Sequence, residues 1–202
     1  MKKVMFYTKH IGIGSAGQAV KNSGMTVLYY TCFVCSLLIG SMLFISAGKD
    51  SILYSFAAQL LVNKIERTAV LLLCCTMLTF FIGVSAGLSC SGVVILIVLP
   101  FAEGFVTSVI LTYLLMQSGA KGLGYFSLMI LPGAILFITA TLAMCSINAE
   151  SSKRICGMLF FEQKETLRIR AYFIRNAVIL CSMFLSVLAT YLLYIMFAGL
   201  FQ

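Results

Sequence analysis

Residues 25–47 read MTVLYYTCFVCSLLIGSMLFISA and contain no charged side chain. As a helix rising about 1.5 Å per residue, this segment is roughly 35 Å long, slightly more than the ~30 Å hydrocarbon core of a bilayer. The sequence Ser46-Ala47-Gly48 resembles a signal-peptide cleavage site. The apolar region of a secretory signal is shorter, however, at about 7–15 residues, so we interpret residues 25–47 as a retained membrane span.

Four further apolar runs follow, and each is long enough to cross a membrane. They are residues 68–88, 93–116, 125–147 and 177–200. Since backbone polar groups in lipid must be satisfied within a helix or a closed barrel, these runs predict an all-α, polytopic transmembrane helix bundle with about five spanning helices. No Pro- or Ser-rich linker divides the chain, so residues 1–202 are interpreted as a single integral membrane domain.

The composition agrees with a membrane protein rather than a soluble one. Hydrophobic residues make up 61% of the chain and charged residues 10%, against roughly 45–50% and about 25% in soluble proteins. The lipid bilayer is therefore the first expected partner. The net charge of +8 does not indicate nucleic-acid binding, because the basic residues lie at the ends of apolar runs and form no continuous stripe.

The distribution of basic residues predicts an orientation in the membrane. The N-terminal tail 1–24, the connection 89–92 and the basic loop 148–176 together hold ten of the fourteen Lys and Arg residues. Cytoplasmic segments carry the excess of positive charge, so we predict a cytoplasmic N-terminus and a C-terminus outside. Residues 48–67 weaken this prediction, because they place three basic residues on the predicted outer side.

Two segments outside the predicted spans also have helical patterns. In residues 50–67, apolar side chains recur every three or four positions, and Asp50 or Ser51 is suited to cap the start. We predict an amphipathic helix lying in the outer membrane interface, with a short helix packed on the bundle as the alternative. Residues 158–174 mix aromatic and basic side chains, as expected of a cytoplasmic segment near anionic headgroups.

The third run is interrupted by Pro100 and Glu103, which predicts a kinked or broken helix. A carboxylate at the bilayer centre costs roughly 2.5–3.5 kcal/mol on the insertion scale. One interpretation is an intramembrane acid that serves an ion or proton site, as in a small transporter or a membrane subunit of a permease. The other is that residues 93–101 form a half-helix, with Glu103 near an interface or a partner chain.

Small residues predict close contacts between helices. Gly83 and Gly87 form a G-x-x-x-G step in an apolar run, which lets two helices approach closely. The step fits either a contact within the chain or an oligomer interface. Ser36 and Gly40 form a weaker version on the first helix.

Neither an enzyme nor a bound cofactor or metal is predicted. The single His lies in the N-terminal tail, and no paired carboxylates or Ser/His/Asp set is present. Cys32-x-x-Cys35 lies within an apolar run without a second ligand pair, so we interpret it as packing. The glycine pattern at residues 12–17 lacks the preceding strand that a dinucleotide site requires.

Apolar and Gly/Pro-based motifs follow Pro100, at residues 101–105, 109–115, 118–122 and 129–136. In these segments the sequence resembles the stage II sporulation protein M family. The family pattern is a helix that begins near a Gly, a short outer turn that contains Gly, and a helix that opens with a Leu-Pro-like step. Gly104, Gly122 and Pro132 match this pattern and are interpreted as structural. Gly133 and two apolar residues further on stand where many relatives in the broader superfamily carry His and Glu.

The resemblance implies a multi-pass protein of a bacterial cell membrane that acts in endospore formation. Its members serve as non-enzymatic scaffolds for engulfment and recruit two peptidoglycan hydrolases, sporulation proteins D and P. Binding would then occur through helix faces and outer loops, and the partners would perform the cleavage. No catalytic residue is implied for this chain, and an oligomer is compatible with the pattern.

Overall fold

The computed structural model describes residues 14–48, 51–62, 65–161 and 169–197, and within these ranges the chain is helical with no strand. The predicted all-α bundle is therefore confirmed. Residues Phe126–Ile130 form a π-helical turn inside a longer helical segment. The chain from Ala120 onward therefore continues as one long helix. The helices are α1 Gly14–Ala47, α2 Ile52–Val62, α3 Ile65–Gly87, α4 Gly92–Ser118, α5 Ala120–Tyr125, α6 Leu131–Phe161 and α7 Ile169–Phe197.

Four helical segments in the described part of the chain are long and apolar enough to cross a membrane. They are Gly24–Ala47, Gly92–Ser118, Ala120–Phe160 and Ile169–Phe197. The remaining predicted span, residues 68–88, falls on α3. The apolar part of this helix is the shorter segment Leu72–Gly87. The structure thus supports four of the five predicted crossings by length and composition, and a crossing by α3 stays a prediction.

Of the two predicted forms of this helix, kinked or broken, the broken one is wrong, because α4 is helical throughout Gly92–Ser118 and Pro100 lies buried inside it; a kink stays a prediction. Proline removes one backbone donor and crowds the preceding turn. In a bundle, neighbouring helices and local adjustments compensate for that loss. Residues 93–101 therefore belong to one continuous helix and do not form a separate half-helix.

Two regions predicted as a tail and a loop contain more helix than expected, although residues 158–174 of the loop have a helical sequence pattern. Residues 14–24, predicted as tail, are the first turns of α1, and residues 1–13 lie outside the described part. The predicted basic loop 148–176 is helical up to Phe161 and again from Ile169. Within this part of α6, Arg154 and Glu150 form a salt bridge one turn apart, which favours the helical conformation.

Within the predicted outer helix 50–67, α2 covers Ile52–Val62 and the residues from Ile65 onward belong to α3, while residues 50 and 63–64 lie outside the described part. Ser51 caps the start of α2, since its Oγ accepts a hydrogen bond from the Tyr54 N–H at 3.2 Å. Tyr54 stacks on Phe44 of α1 and contacts Tyr113 of α4, with ring centroids 6.2 Å and 5.0 Å away. These contacts agree with the alternative of a short helix packed on the bundle.

The closest packing joins α1 to α4 and α6 to α7, and α3 lies against α4, α6 and α7. The core between the helices is apolar, with Leu96, Met144 and Met183 fully buried. Many large apolar side chains on the outward faces of α1 and α7 are exposed, such as Met42 and Met196. Such surfaces are stable in hydrocarbon, so the bundle is embedded in a membrane with lipid around it.

Candidate functional site

Glu103 lies near the middle of α4. Eleven residues separate it from Gly92 and fifteen from Ser118, or about 16 Å and about 22 Å along the helix axis. The residue faces α6, because Thr141 of that helix donates a hydrogen bond to its Oε1 at 3.0 Å. The acid therefore lies inside the bundle, away from the helix ends, as an intramembrane site requires.

The second carboxyl oxygen of Glu103 has no partner. Oε2 is buried, and it makes no hydrogen bond with any residue of the described chain. Buried polar atoms are nearly always hydrogen-bonded, so an orphaned carboxyl oxygen in a bundle core calls for a physical explanation. This orphan oxygen is the observation that singles out Glu103 from the other acidic residues.

Tyr29 of α1 and Cys145 of α6 extend the polar cluster around Glu103. Both side chains are 0% exposed, and the Tyr29 hydroxyl has no hydrogen-bond partner among the described residues. The Cys145 thiol lies near both Tyr29 and Glu103. We call the four residues that form this group the Glu103 cluster: Glu103, Thr141, Cys145 and Tyr29. It joins α1, α4 and α6, and sequence reasoning identified only its acid.

Small residues let α1 and α4 approach closely beside this cluster. A Cβ atom at Gly104 would overlap Ser36 Oγ of α1. The arrangement is reciprocal, because a Cβ atom at Gly40 of α1 would overlap Ser108 Oγ of α4. The sequence pattern at Ser36 and Gly40 thus corresponds to a contact within the chain, and Gly104 is structural as predicted.

Gly83 and Gly87 also serve contacts within the chain. A Cβ atom at Gly83 would meet the Met144 side chain of α6, and one at Gly87 would meet Asn148 Cβ at 2.8 Å and the Tyr172 hydroxyl of α7 at 2.5 Å. Of the two readings of this G-x-x-x-G step, the structure supports the intrachain one. The glycines allow α3 to pack against α6 and α7.

Gly122 and Pro132 shape the return from α4 toward α6. A Cβ atom at Gly122 would overlap the Leu114 carbonyl. Gly119, between α4 and α5, has φ +55°. Pro132 follows the π-helical turn, in which the Leu131 N–H bonds to the Phe126 carbonyl five residues earlier. Both predicted residues therefore lie where the backbone departs from regular helix packing, away from the Glu103 cluster.

Hydrogen bonds join α3 to α6 and α7, and sequence reasoning did not foresee them. Asn148 donates to the Gly83 carbonyl at 2.9 Å, and Tyr172 donates to the Val84 carbonyl at 2.9 Å. Ser152 donates to the Ser89 carbonyl at 2.6 Å, in the turn after α3. Polar residues within or beside an apolar run are the signal that points to such contacts.

A pair of thiols lies near the turn between α3 and α4. Cys90 in that turn and Cys156 near the end of α6 are half-buried and joined by a hydrogen bond. Partial burial and this hydrogen bond raise the pKa of the Cys90 thiol. The two residues are 66 positions apart in the sequence, and no spacing motif predicts their contact.

No group of three or more potential metal-ligating side chains occurs in the described residues. The chain matches no protein-family model, no curated protein and no solved structure.

Proposed function

We propose that this chain is a non-enzymatic membrane scaffold of the stage II sporulation protein M kind, which recruits peptidoglycan hydrolases during engulfment in endospore formation. In this role the bundle binds the membrane anchors of sporulation proteins D and P, and those partners cleave the cell wall. The chain would act as a multi-pass protein of a bacterial cell membrane.

The observation that carries the proposal is the position of the two glycines that match the family pattern. Gly104 and Gly122 each lie where a Cβ atom would overlap a neighbouring atom. Glycines that close packing requires are expected to recur in chains with the same fold. The resemblance to the family extends over residues 101–136. Outward faces of α1 and α7, rich in exposed apolar side chains, offer contact surface for the helices of partners.

Co-purification tests the scaffold role. The tagged chain is extracted in a mild detergent from sporulating cells after crosslinking, and a multi-pass protein of unrelated sequence with the same tag serves as the control. We expect peptidoglycan hydrolases to be enriched with this chain and not with the control protein. Recovery of no hydrolase, or of equal amounts with the control, would contradict the proposal.

A transport role is the second candidate, and the position of Glu103 near the middle of α4, with its Oε2 atom buried, favours it. A transporter places an ionisable residue near the bilayer midplane, where the substrate or coupling ion binds. The test is proton flux into proteoliposomes that contain a pH-sensitive dye. If this role is correct, the wild type dissipates an imposed pH gradient faster than empty vesicles, and Glu103→Gln abolishes the difference. Equal rates for all three preparations would exclude proton transport by the isolated chain.

A further inference from the structure

We propose that Glu103 binds a single proton on Oε1, and that the resulting carboxyl O–H donates a hydrogen bond to the hydroxyl oxygen of Thr141. The site would take up this proton from water, converting a carboxylate into a neutral carboxylic acid within the bundle. The inference goes beyond the scaffold role and does not depend on it, nor on any transport of the bound proton.

The first argument is the number of hydrogens available at Thr141. Its Oγ1 lies 3.0 Å from Glu103 Oε1 and 3.0 Å from the Phe137 carbonyl oxygen. A threonine hydroxyl has one hydrogen, so it cannot donate fully to two acceptors at once. A proton on Glu103 resolves the conflict, because the carboxyl O–H then donates to Oγ1 while Thr141 donates to Phe137.

The second argument is the behaviour of other threonines in these helices. Thr76, Thr107, Thr112 and Thr190 each donate to the carbonyl four residues earlier, at 2.7–3.0 Å. The bond from Thr141 to Phe137 follows the same pattern. Thr141 is therefore expected to use its hydrogen within α6, and its contact with Glu103 then requires a hydrogen from the carboxyl group.

The third argument is the orphan oxygen Oε2. An ionised carboxylate spreads its negative charge over both oxygens, and a buried charge without partners carries a large desolvation penalty. A proton on Oε1 leaves Oε2 as a neutral carbonyl oxygen, which is less costly to bury. Neither α4 nor α6 places a lysine near this pair: α4 extends about 22 Å from Glu103 to Ser118 before Lys121 follows on α5, and Lys153 is 12 residues, or about 18 Å of helix, from Thr141.

The titratable neighbours of Glu103 do not supply a compensating charge. Cys145 of α6 lies near the carboxyl group, and Tyr29 of α1 lies near Cys145 and Cys32. None of these side chains is positively charged in any protonation state. They are compatible with a neutral acid and would repel a carboxylate if they were themselves ionised.

Infrared spectroscopy of the chain in lipid vesicles tests the proposal. A protonated carboxyl group has a C=O stretching band distinct from the two bands of a carboxylate. At neutral pH we expect this band in the wild type and its loss in Glu103→Gln. Carbon-13 labelling of the glutamate carboxyl groups shifts the same band in the wild type, so the test remains valid even if the variant does not fold.

Thr141→Val and Thr139→Val form a matched pair for the hydrogen bond. Thr139 is exposed and bonds only within its helix, to Leu136. Thr141→Val is expected to shift the carboxyl band to higher frequency, because the group loses its acceptor, whereas Thr139→Val leaves the band unchanged.

Absence of a carboxyl band from the wild type at neutral pH would overturn the proposal. Replacing choline chloride with sodium or potassium chloride then separates two explanations. Carboxylate bands that shift with the alkali cation indicate a metal-ion site, and bands that do not shift indicate an unpaired carboxylate. Both results contradict a bound proton.

Discussion

The Oγ atom of Ser36 on α1 occupies the space that a side chain at Gly104 of α4 would need. One turn further along α4, Ser108 bears the same relation to Gly40 of α1. Because lipid provides no hydrophobic drive for helix association, the close fit of small residues supplies much of the attraction between membrane helices. The α1–α4 contact should therefore respond strongly to a single added methyl group.

Gly104→Ala is expected to destabilise the chain by about 1–3 kcal/mol through overpacking. The matched control is Gly24→Ala, because nothing lies within 4 Å of a Cβ atom there. Removing a helical glycine at such an open site stabilises by roughly 0.5–1 kcal/mol. Unfolding in detergent measures both changes. Equal unfolding midpoints for the two variants would refute the packing role. Adding Ser36→Ala to the Gly104→Ala protein should restore part of the lost stability.

Tyr172→Phe is expected to lower stability by roughly 0.5–1.5 kcal/mol, because the hydroxyl donates to the Val84 carbonyl between α7 and α3. Tyr30 is 46% exposed, so Tyr30→Phe serves as the control and should leave the unfolding midpoint nearly unchanged. The same detergent assay applies. A Tyr172→Phe protein as stable as the control would show that this hydrogen bond contributes nothing measurable.

The Cys90 thiol should react slowly with maleimides near neutral pH, because the thiolate is the reactive form and partial burial, with the hydrogen bond to Cys156, raises the pKa of Cys90. The labelling rate should increase as pH rises. Cys156→Ala removes one cause of the shift, so it should move the onset of labelling to lower pH. An engineered Ser91→Cys in a Cys90→Ser background gives the reference profile of an exposed neighbour. An unchanged Cys90 profile in Cys156→Ala would contradict the proposed contact.

The predicted orientation places Cys90 on the cytoplasmic side and Lys121 outside. An engineered Lys121→Cys should therefore react with a membrane-impermeant thiol reagent in intact cells, while Cys90 reacts only after permeabilisation. Mass spectrometry of the tryptic peptides identifies the labelled residue. The reverse pattern would contradict the predicted orientation of this hairpin, either because the termini are inverted or because α3 does not cross the membrane.

The helical class followed from the sequence because each long uncharged run has one stable form in lipid. Helix ends were harder to predict, since residues 148–161 look like a basic loop but continue α6. The acid at Glu103 was identifiable from its apolar surroundings. Thr141 and Tyr29 were not, because a threonine or tyrosine in an apolar run has many possible partners, and the packing of three helices determines which one it meets.

The helical segment Ala120–Phe160 contains 41 residues and measures about 60 Å, roughly twice the thickness of the hydrocarbon core. Close to half of it must therefore stand in the headgroups or in water. Thr141 and Arg154 lie on this one rod, about 20 Å apart. Because no loop lies between these two residues, any tilt of this helix relative to α4 would also change the distance from Thr141 to Glu103.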